Sequence, residues 1–213
     1  MEAVCTLREI LKGYGSRAPK ALGPLSLDIF PGELIGVRGE NGAGKSTLLS
    51  ILAGVLKPDA GEVWTAPELQ GRVGYAPQEP ALYETLSGLD NLRFWGRVHG
   101  LPKKPCEARC RWLLREMNLE EKAKAPAGAY SGGMKRRLHL ATALMGTPKL
   151  LLLDEPTAGA DEASAQLMLS MVKQLGEQGC SVLLLTHRRG ELEQVCTRFL
   201  TLSGGRAAEE ERP

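Results

Sequence analysis

The chain has 213 residues, with 27 Lys and Arg against 25 Asp and Glu, for a formal net charge of +2. At 43% hydrophobic and 24% charged it falls in the ordinary globular range, which excludes a disordered or collagen-like chain. Its apolar runs, such as 150–153 and 182–185, fall far short of the roughly 18–20 residues of a membrane-crossing helix, and early charges at Glu2, Arg8, Glu9 and Lys12 argue against a signal segment.

The first third reads as strands separated by turns. Residues 4–10 and 25–29 are short β-like runs, the second closed by Pro31-Gly32, and 33–38 is a third that stops at Gly39. Residues 45–55 have helical spacing and end near Gly54, and strand-like runs follow at 62–64 and 72–77. From Ser87 the character changes. Ser87 and Asp90 form a capping-box pattern ahead of two helical segments, 88–99 and 105–117, split by Gly100 and Pro102. A third helix is expected over 132–146, then an apolar strand at 149–154, a helix at 161–177, a buried strand at 181–186 and a last strand at 197–202. The acidic run Glu209 to Glu211 reads as a solvated C-terminal tail. Strands alternating with helices around near-continuous apolar runs predict a parallel sheet covered on both faces, one α/β domain over 1–213.

Gly39, Glu40, Asn41, Gly42, Ala43, Gly44, Lys45, Ser46 and Thr47 lie between a strand and a helix, in the pattern G-x-x-x-x-G-K-[ST]. The glycines let backbone N–H groups turn toward phosphate oxygens, and the following helix adds its positive end. Lys45 can reach the outer phosphates, and the Ser46 hydroxyl can bind Mg²⁺. A Gly-rich turn with a chance lysine is the competing reading, and the strand–helix context speaks against it. The run 149–154 supplies the companion: a buried strand delivers Asp154 at its carboxyl end, where it can hold Mg²⁺ through water, and Glu155 can orient or deprotonate a water.

Tyr130, Ser131, Gly132, Gly133 and Met134, followed by Lys135, Arg136 and Arg137, precede Glu155-Pro156-Thr157. With the phosphate loop upstream and Asp154-Glu155 downstream, this segment resembles the signature sequence of the ATP-binding-cassette (ABC) ATPases. The resemblance covers essentially the whole chain. It implies a P-loop NTPase core with a small antiparallel β subdomain and an inserted helical subdomain, here 1–85 with 146–213, and 86–145.

The resemblance also carries roles onto single positions. Tyr14 is similar to the aromatic that stacks on adenine, with a tyrosine packed in the β subdomain as the alternative. Gln78 is similar to the glutamine that touches Mg²⁺ and the attacking water. His187 resembles the switch histidine at the γ-phosphate. Asp161 resembles the acid that crosses the dimer interface, and it also suits a helix cap. Tyr130, Met134, Ala160 and Thr197 depart from the commonest family residues without removing a catalytic group.

Two such cassettes would meet head to tail, with Ser131, Gly132 and Gly133 of one closing over ATP held by the other. The implied protein is an ATPase subunit, a homodimer or a pair with a paralogue, peripheral on the cytoplasmic face of the cell membrane. Its partner would be a separate integral membrane permease, with no nucleic acid involved, and the Met-Lys-Arg-Arg run resembles the bacterial exporter branch. The alternative is a soluble cassette ATPase of translation or DNA repair. Tyr75, Tyr83, Phe94, Trp95 and Trp112 cluster where a permease helix would dock, Tyr83 being best placed and Trp112 better suited to a core. Lys103, Lys104, Arg109, Arg111 and Arg115 read as a solvated basic helix face. Cys5, Cys106, Cys110, Cys180 and Cys196 read as reduced thiols rather than metal ligands.

Overall fold

The computed structural model describes residues 2–15 and 21–211. In chain order the elements are β1 (Cys5–Lys12), β2 (Leu22–Ile29), β3 (Leu34–Gly39), α1 (Lys45–Leu52), β4 (Ala60–Thr65), β5 (Val73–Ala76), α2 (Gly88–Val98), α3 (Lys103–Glu116), α4 (Gly132–Ala143), β6 (Leu150–Asp154), α5 (Glu162–Glu177), β7 (Ser181–Leu185), α6 (Arg189–Val195), β8 (Arg198–Ser203) and β9 (Arg206–Glu211). A three-stranded antiparallel sheet runs β2-β1-β4, and a six-stranded sheet runs β5-β6-β7-β3-β8-β9. The larger sheet is parallel except for the β8–β9 pair.

The leucine-rich strands explain why the large sheet sits in the middle. Side chains alternate between faces along a strand. Leu151, Leu153, Val182 and Leu184 accordingly join the core beneath α2, α3, α4 and α5. Leu150, Leu152, Leu183 and Leu185 join the second core, with α1, β1 and β2. A sheet buried on both faces needs apolar residues at consecutive positions, which is what 150–153 and 182–185 supply. Helix α5 buries Ala165, Met168, Leu169, Val172 and Leu175, the helical spacing of one apolar stripe. No helix among the described residues is long and apolar enough to cross a membrane.

Two segments differ from expectation. The acidic run Glu209 to Glu211 is not a free tail: it belongs to β9, paired antiparallel with β8 through Thr201–Glu209, Leu200–Glu210 and Phe199–Glu211. Gly204 and Gly205, at φ 54° and 79°, supply the left-handed pair that a tight hairpin demands, and pairing satisfies the backbone of β8 despite three acids in the partner. Helix α6 was not expected either. Its N-cap, Arg188, makes no side-chain capping bond, and Gly190 weakens its first turn, so nothing local announces it.

Helix α2 begins as the capping pattern predicts. The Ser87 hydroxyl accepts from the Asp90 N–H at 3.0 Å and donates to the Asp90 carboxylate at 2.6 Å. The basic face of α3 is only partly solvated. Lys103, Lys104, Arg111 and Arg115 are exposed, but Arg109 donates to the Leu144 carbonyl at 2.7 Å and lies 4.4 Å from the ring centre of Trp112. Packing on an indole suits the flat, weakly hydrated guanidinium better than open water does.

Candidate functional site

Five parallel strands end on one side of the large sheet, where the crevice beyond their carboxyl ends is the natural site for a ligand. A cavity of about 600 Å³ lies there, lined by Tyr14, Ala21, Asn41, Gly42, Gly44, Lys45, Ser46, Thr47, Gln78, Asp154, Glu155, Leu185 and His187. Strand β3 leads into the phosphate loop, β5 into Gln78, β6 into Asp154 and Glu155, and β7 into His187. Four strand ends thus share one wall, joined by Tyr14. Glu40 and Ala43 face a smaller neighbouring cavity beside Ser203 and Gly204.

The loop is shaped by backbone. Gly44, the N-cap of α1, stands at φ 96°, and a Cβ there would lie 2.2 Å from the Ala21 carbonyl oxygen. A Cβ on Gly205 would lie 3.0 Å from that same oxygen. No side chain larger than hydrogen fits at Gly44 without moving the loop. Helix α1 carries no acid in its first turn, so its N–H groups stay available to an anion. Lys45 Nζ donates to the carbonyls of Gly39 at 2.8 Å and Glu40 at 2.9 Å, arching over the loop it would serve. Tyr14 presents a largely exposed ring, its hydroxyl 3.1 Å from Thr47 Oγ1.

Glu155 is the strained residue of the site. It stands at φ 50°, a region non-glycine residues rarely occupy, with its N–H donating to the Leu185 carbonyl at 2.9 Å. Burial pushes its carboxyl above the usual carboxylate range. His187, with Nε2 3.3 Å away, pulls it down, and the charges of Asp154 and Glu191 push it up again. A carboxylate raised toward working pH makes a better proton acceptor than an ordinary surface glutamate. Asp154 is buried at the end of β6. Ser46, Gln78 and Asp154 bring a hydroxyl, an amide and a carboxylate to one cavity, the hard oxygen donors that Mg²⁺ favours.

Sequence reasoning missed Glu191. This buried carboxylate on α6 accepts the hydroxyls of Thr157 at 2.6 Å and Thr186 at 3.0 Å, tying the segment after Glu155 to the segment before His187. Arg188 pairs with it at 3.2 Å. No sequence signal marks it, because the helix that carries it has none.

Ser131, Gly132, Gly133 and Asp161 lie outside the cavity. Ser131 caps α4, accepting from the Met134 N–H at 3.3 Å. Asp161 caps α5, accepting from the Ser164 N–H at 2.8 Å and its hydroxyl at 2.9 Å, bonds that hold its carboxyl below the usual range. The two helix starts touch, since a Cβ on Gly133 would fall 2.5 Å from Asp161 Oδ2. Tyr130 fits where a leucine is commoner because its buried hydroxyl reaches the Lys122 carbonyl at 2.7 Å.

A second cavity of about 520 Å³ is mostly apolar, with Val55, Val73, Tyr75, Pro77, Trp95, His99, His139 and Ala143 among its walls. Tyr75 and Trp95 from the aromatic cluster line it. Tyr83 does not: its ring packs edge-on against Phe94, centroids 4.8 Å apart. Trp112 packs against the helical core. All five cysteines are buried and unpaired, and among the described residues no three His, Cys, Asp or Glu side chains gather as a metal site.

Residues 22–158 match the family described as ABC transporter. Similar proteins include the linearmycin resistance ATP-binding protein LnrL of Bacillus subtilis, 38% identical over 92% of this chain and 65% of its own length. The Nod factor export ATP-binding protein I of Cupriavidus pinatubonensis is 37% identical over 100% of this chain and 67% of its own length. This chain therefore spans about two thirds of these bacterial relatives. Among solved structures, the ATP-binding cassette MJ0796 bound to ADP and Pi, a dimer in a post-hydrolysis state, superposes with a TM-score of 0.87 at 26% identity, covering 98% of both chains. The strand order, the shared cavity and these likenesses agree: the chain belongs to the ABC transporter family and has the fold of its ATP-binding cassettes.

Proposed function

We propose that this chain is the ATP-hydrolysing subunit of an ABC transporter, pairing with a second cassette around two ATP molecules to drive export through a separate membrane permease. The observation that carries the reading is the convergence of Lys45, Ser46, Gln78, Asp154, Glu155 and His187 on one cavity while Ser131, Gly132 and Gly133 lie outside it. Two unlike phosphate-binding surfaces on one chain make sense when each completes the other's partner in a second copy. Relatives named for linearmycin resistance and Nod factor export favour transport over translation or DNA repair.

In this reading the phosphate loop and Lys45 hold the β- and γ-phosphates, and Tyr14 stacks on adenine. Mg²⁺, held by Ser46 and Asp154 with Gln78 beside them, supplies charge neutralisation at the phosphates when bound. Glu155 accepts the proton of a water whose oxygen bonds to the γ-phosphorus as the bond to the ADP oxygen breaks. His187 steadies Glu155 and the leaving phosphate. The membrane partner inserts a helix into the apolar cavity beside Tyr75 and Trp95, placing the chain on the cytoplasmic face. Hydrolysis ends the contacts that held the pair closed.

Light scattering on Glu155→Gln with and without ATP tests this reading. An ATP-dependent dimer is expected, and a variant that stays monomeric in saturating ATP overturns the composite site. Co-purification with an integral membrane protein tests the transport part, and a chain recovered from membranes with none overturns it.

A further inference from the structure

We infer that Arg136 is a positioning residue that couples helix α4, which begins at the signature glycines, to the two segments that carry Gln78 and Glu155. The inference rests on the proposed function and adds a residue to which that reading gives no role. Three consecutive cations on α4 go three ways. Lys135 pairs with Glu84 at 2.5 Å, and Arg137 donates to the carbonyls of Met117 at 2.6 Å and Asn118 at 3.1 Å, at the end of α3. Arg136 alone reaches the catalytic side. Its Nη1 donates to the backbone carbonyl of Gln78, and its Nε donates to the carbonyl of Ala158 at 2.9 Å.

The second contact is closer to the chemistry than its number suggests. The Ala158 N–H donates to the Glu155 carbonyl at 3.1 Å, so residues 155–158 form one turn, and Arg136 holds that turn by its free end. Glu155 sits at the start of that turn in its left-handed conformation. The first contact holds the backbone of the residue whose side chain faces the same cavity. A guanidinium serves two carbonyls from different segments in a fixed plane, which an ammonium on a flexible stem does not. Among the described residues Arg136 pairs with no carboxylate, so its bonding capacity goes to these carbonyls. Half-burial removes water that would compete for them; it also lowers the guanidinium pKa, an effect that the nearby Glu155 charge partly offsets.

Ser131 and Gly133 stand within about one and a half turns of Arg136 on the same helix. A phosphate taken up at that helix start therefore shifts, through one rigid side chain, both the Gln78 segment and the Glu155 turn. Arg136 does not touch the reacting atoms in this arrangement. It sets where the groups that do so stand.

The test uses the whole chain as wild type, Arg136→Gln, Arg136→Lys and Arg137→Gln. It reads kcat, KM for ATP, melting temperature, and amide exchange at Gln78, Glu79, Glu155, Thr157 and Ala158. Arg136→Gln is expected to lower kcat by about 10- to 100-fold, the scale of a misplaced catalytic group, with KM for ATP within about twofold of wild type. It should also speed exchange at the Ala158 amide while the protein stays folded. Arg136→Lys should restore part of kcat, and Arg137→Gln should lower the melting temperature without a selective loss of kcat. Wild-type kcat, or wild-type exchange at 155–158, in a folded Arg136→Gln overturns the inference. A wild-type chain that hydrolyses no ATP overturns the proposed function instead, and the exchange measurement still decides the role of Arg136.

Discussion

His187 Nε2 stands 3.3 Å from Glu155 Oε1, the imidazole largely exposed and the carboxylate almost wholly buried. The pair joins the ends of two neighbouring strands, and its electrostatics set the pH at which the glutamate can accept a proton. Burial raises the Glu155 carboxyl and His187 is the strongest influence lowering it. A general base must be ionised, so activity should fall as pH drops through this raised value, above the ordinary glutamate figure of about 4.3. Replacing His187 with Ala removes the lowering influence. The acid limb of kcat should then move to higher pH, on top of any loss of rate, and a pH–rate profile of the two proteins checks the sign.

Glu155→Gln should abolish turnover, by at least the roughly 10²- to 10⁴-fold that a positioned base contributes. The same change should stabilise the fold at neutral pH. A carboxyl raised by burial is costly in its charged form, and that cost is present above the unfolded pKa and vanishes as both states become protonated. The variant's melting temperature should therefore lie above wild type at neutral pH. Calorimetry at neutral and acid pH should show the gain only at the former.

Lys45→Ala should weaken ATP binding by about 1.5–3 kcal/mol, the scale of a hydrogen bond to a charged group, or about 10- to 150-fold in affinity. Melting temperature should hardly change, because the lysine's bonds go to exposed loop carbonyls rather than to the core. Titration calorimetry with ATP measures the first and a thermal melt the second.

The contact between two helix starts predicts a non-additive pair. Asp161→Ala removes the α5 cap and should cost about 1 kcal/mol. Gly133→Ala forces a methyl group to within 2.5 Å of Asp161 Oδ2 and 2.7 Å of Ser164 Oγ, so it should cost at least as much. In the Asp161→Ala background the alanine at 133 should cost less, because one of the two clashing atoms is gone. A double-mutant cycle by denaturant unfolding measures the coupling.

The native cysteines should resist alkylation. Burial pushes Cys5, Cys110 and Cys196 up to about 12 and Cys180 to about 11, and Cys106 is buried next to Cys110. A thiol-specific reagent at about pH 8 should label the folded chain slowly and all five sites after unfolding.

Much of this molecule was legible in its sequence because its two strongest patterns are local. Consecutive leucines at 150–153 announce a strand buried on both faces, and Gly39 to Thr47 announces its own turn by the need for positive φ. What escaped depends on partners distant in sequence. Glu191 takes its place from Thr157 and Thr186, and Arg136 from Gln78 and Ala158, pairings that no spacing rule encodes. The acidic strand β9 was hidden for the same reason: its composition repels the assignment, and only the unpaired edge of β8 explains it. Tyr83, the aromatic that the sequence marks as best placed for docking, is half-exposed with its ring edge-on to Phe94, while Tyr75 and Trp95 line the apolar cavity.

The Ala21 carbonyl, pressed against Gly44 on one side and Gly205 on the other, acts as a shim between three parts of the chain. Because the contact is backbone to backbone, the spacing between the cavity wall at Ala21 and the phosphate loop has no side chain in it that could flex or mutate to a different size. The Gly23 N–H, donating to the Gly205 carbonyl at 2.5 Å, fixes the same spacing from the hairpin side. The gap between the cavity wall at Ala21 and the phosphate loop is therefore gauged by the closing hairpin as well as by the loop itself. Enlarging Gly205 changes that gap without touching the phosphate loop.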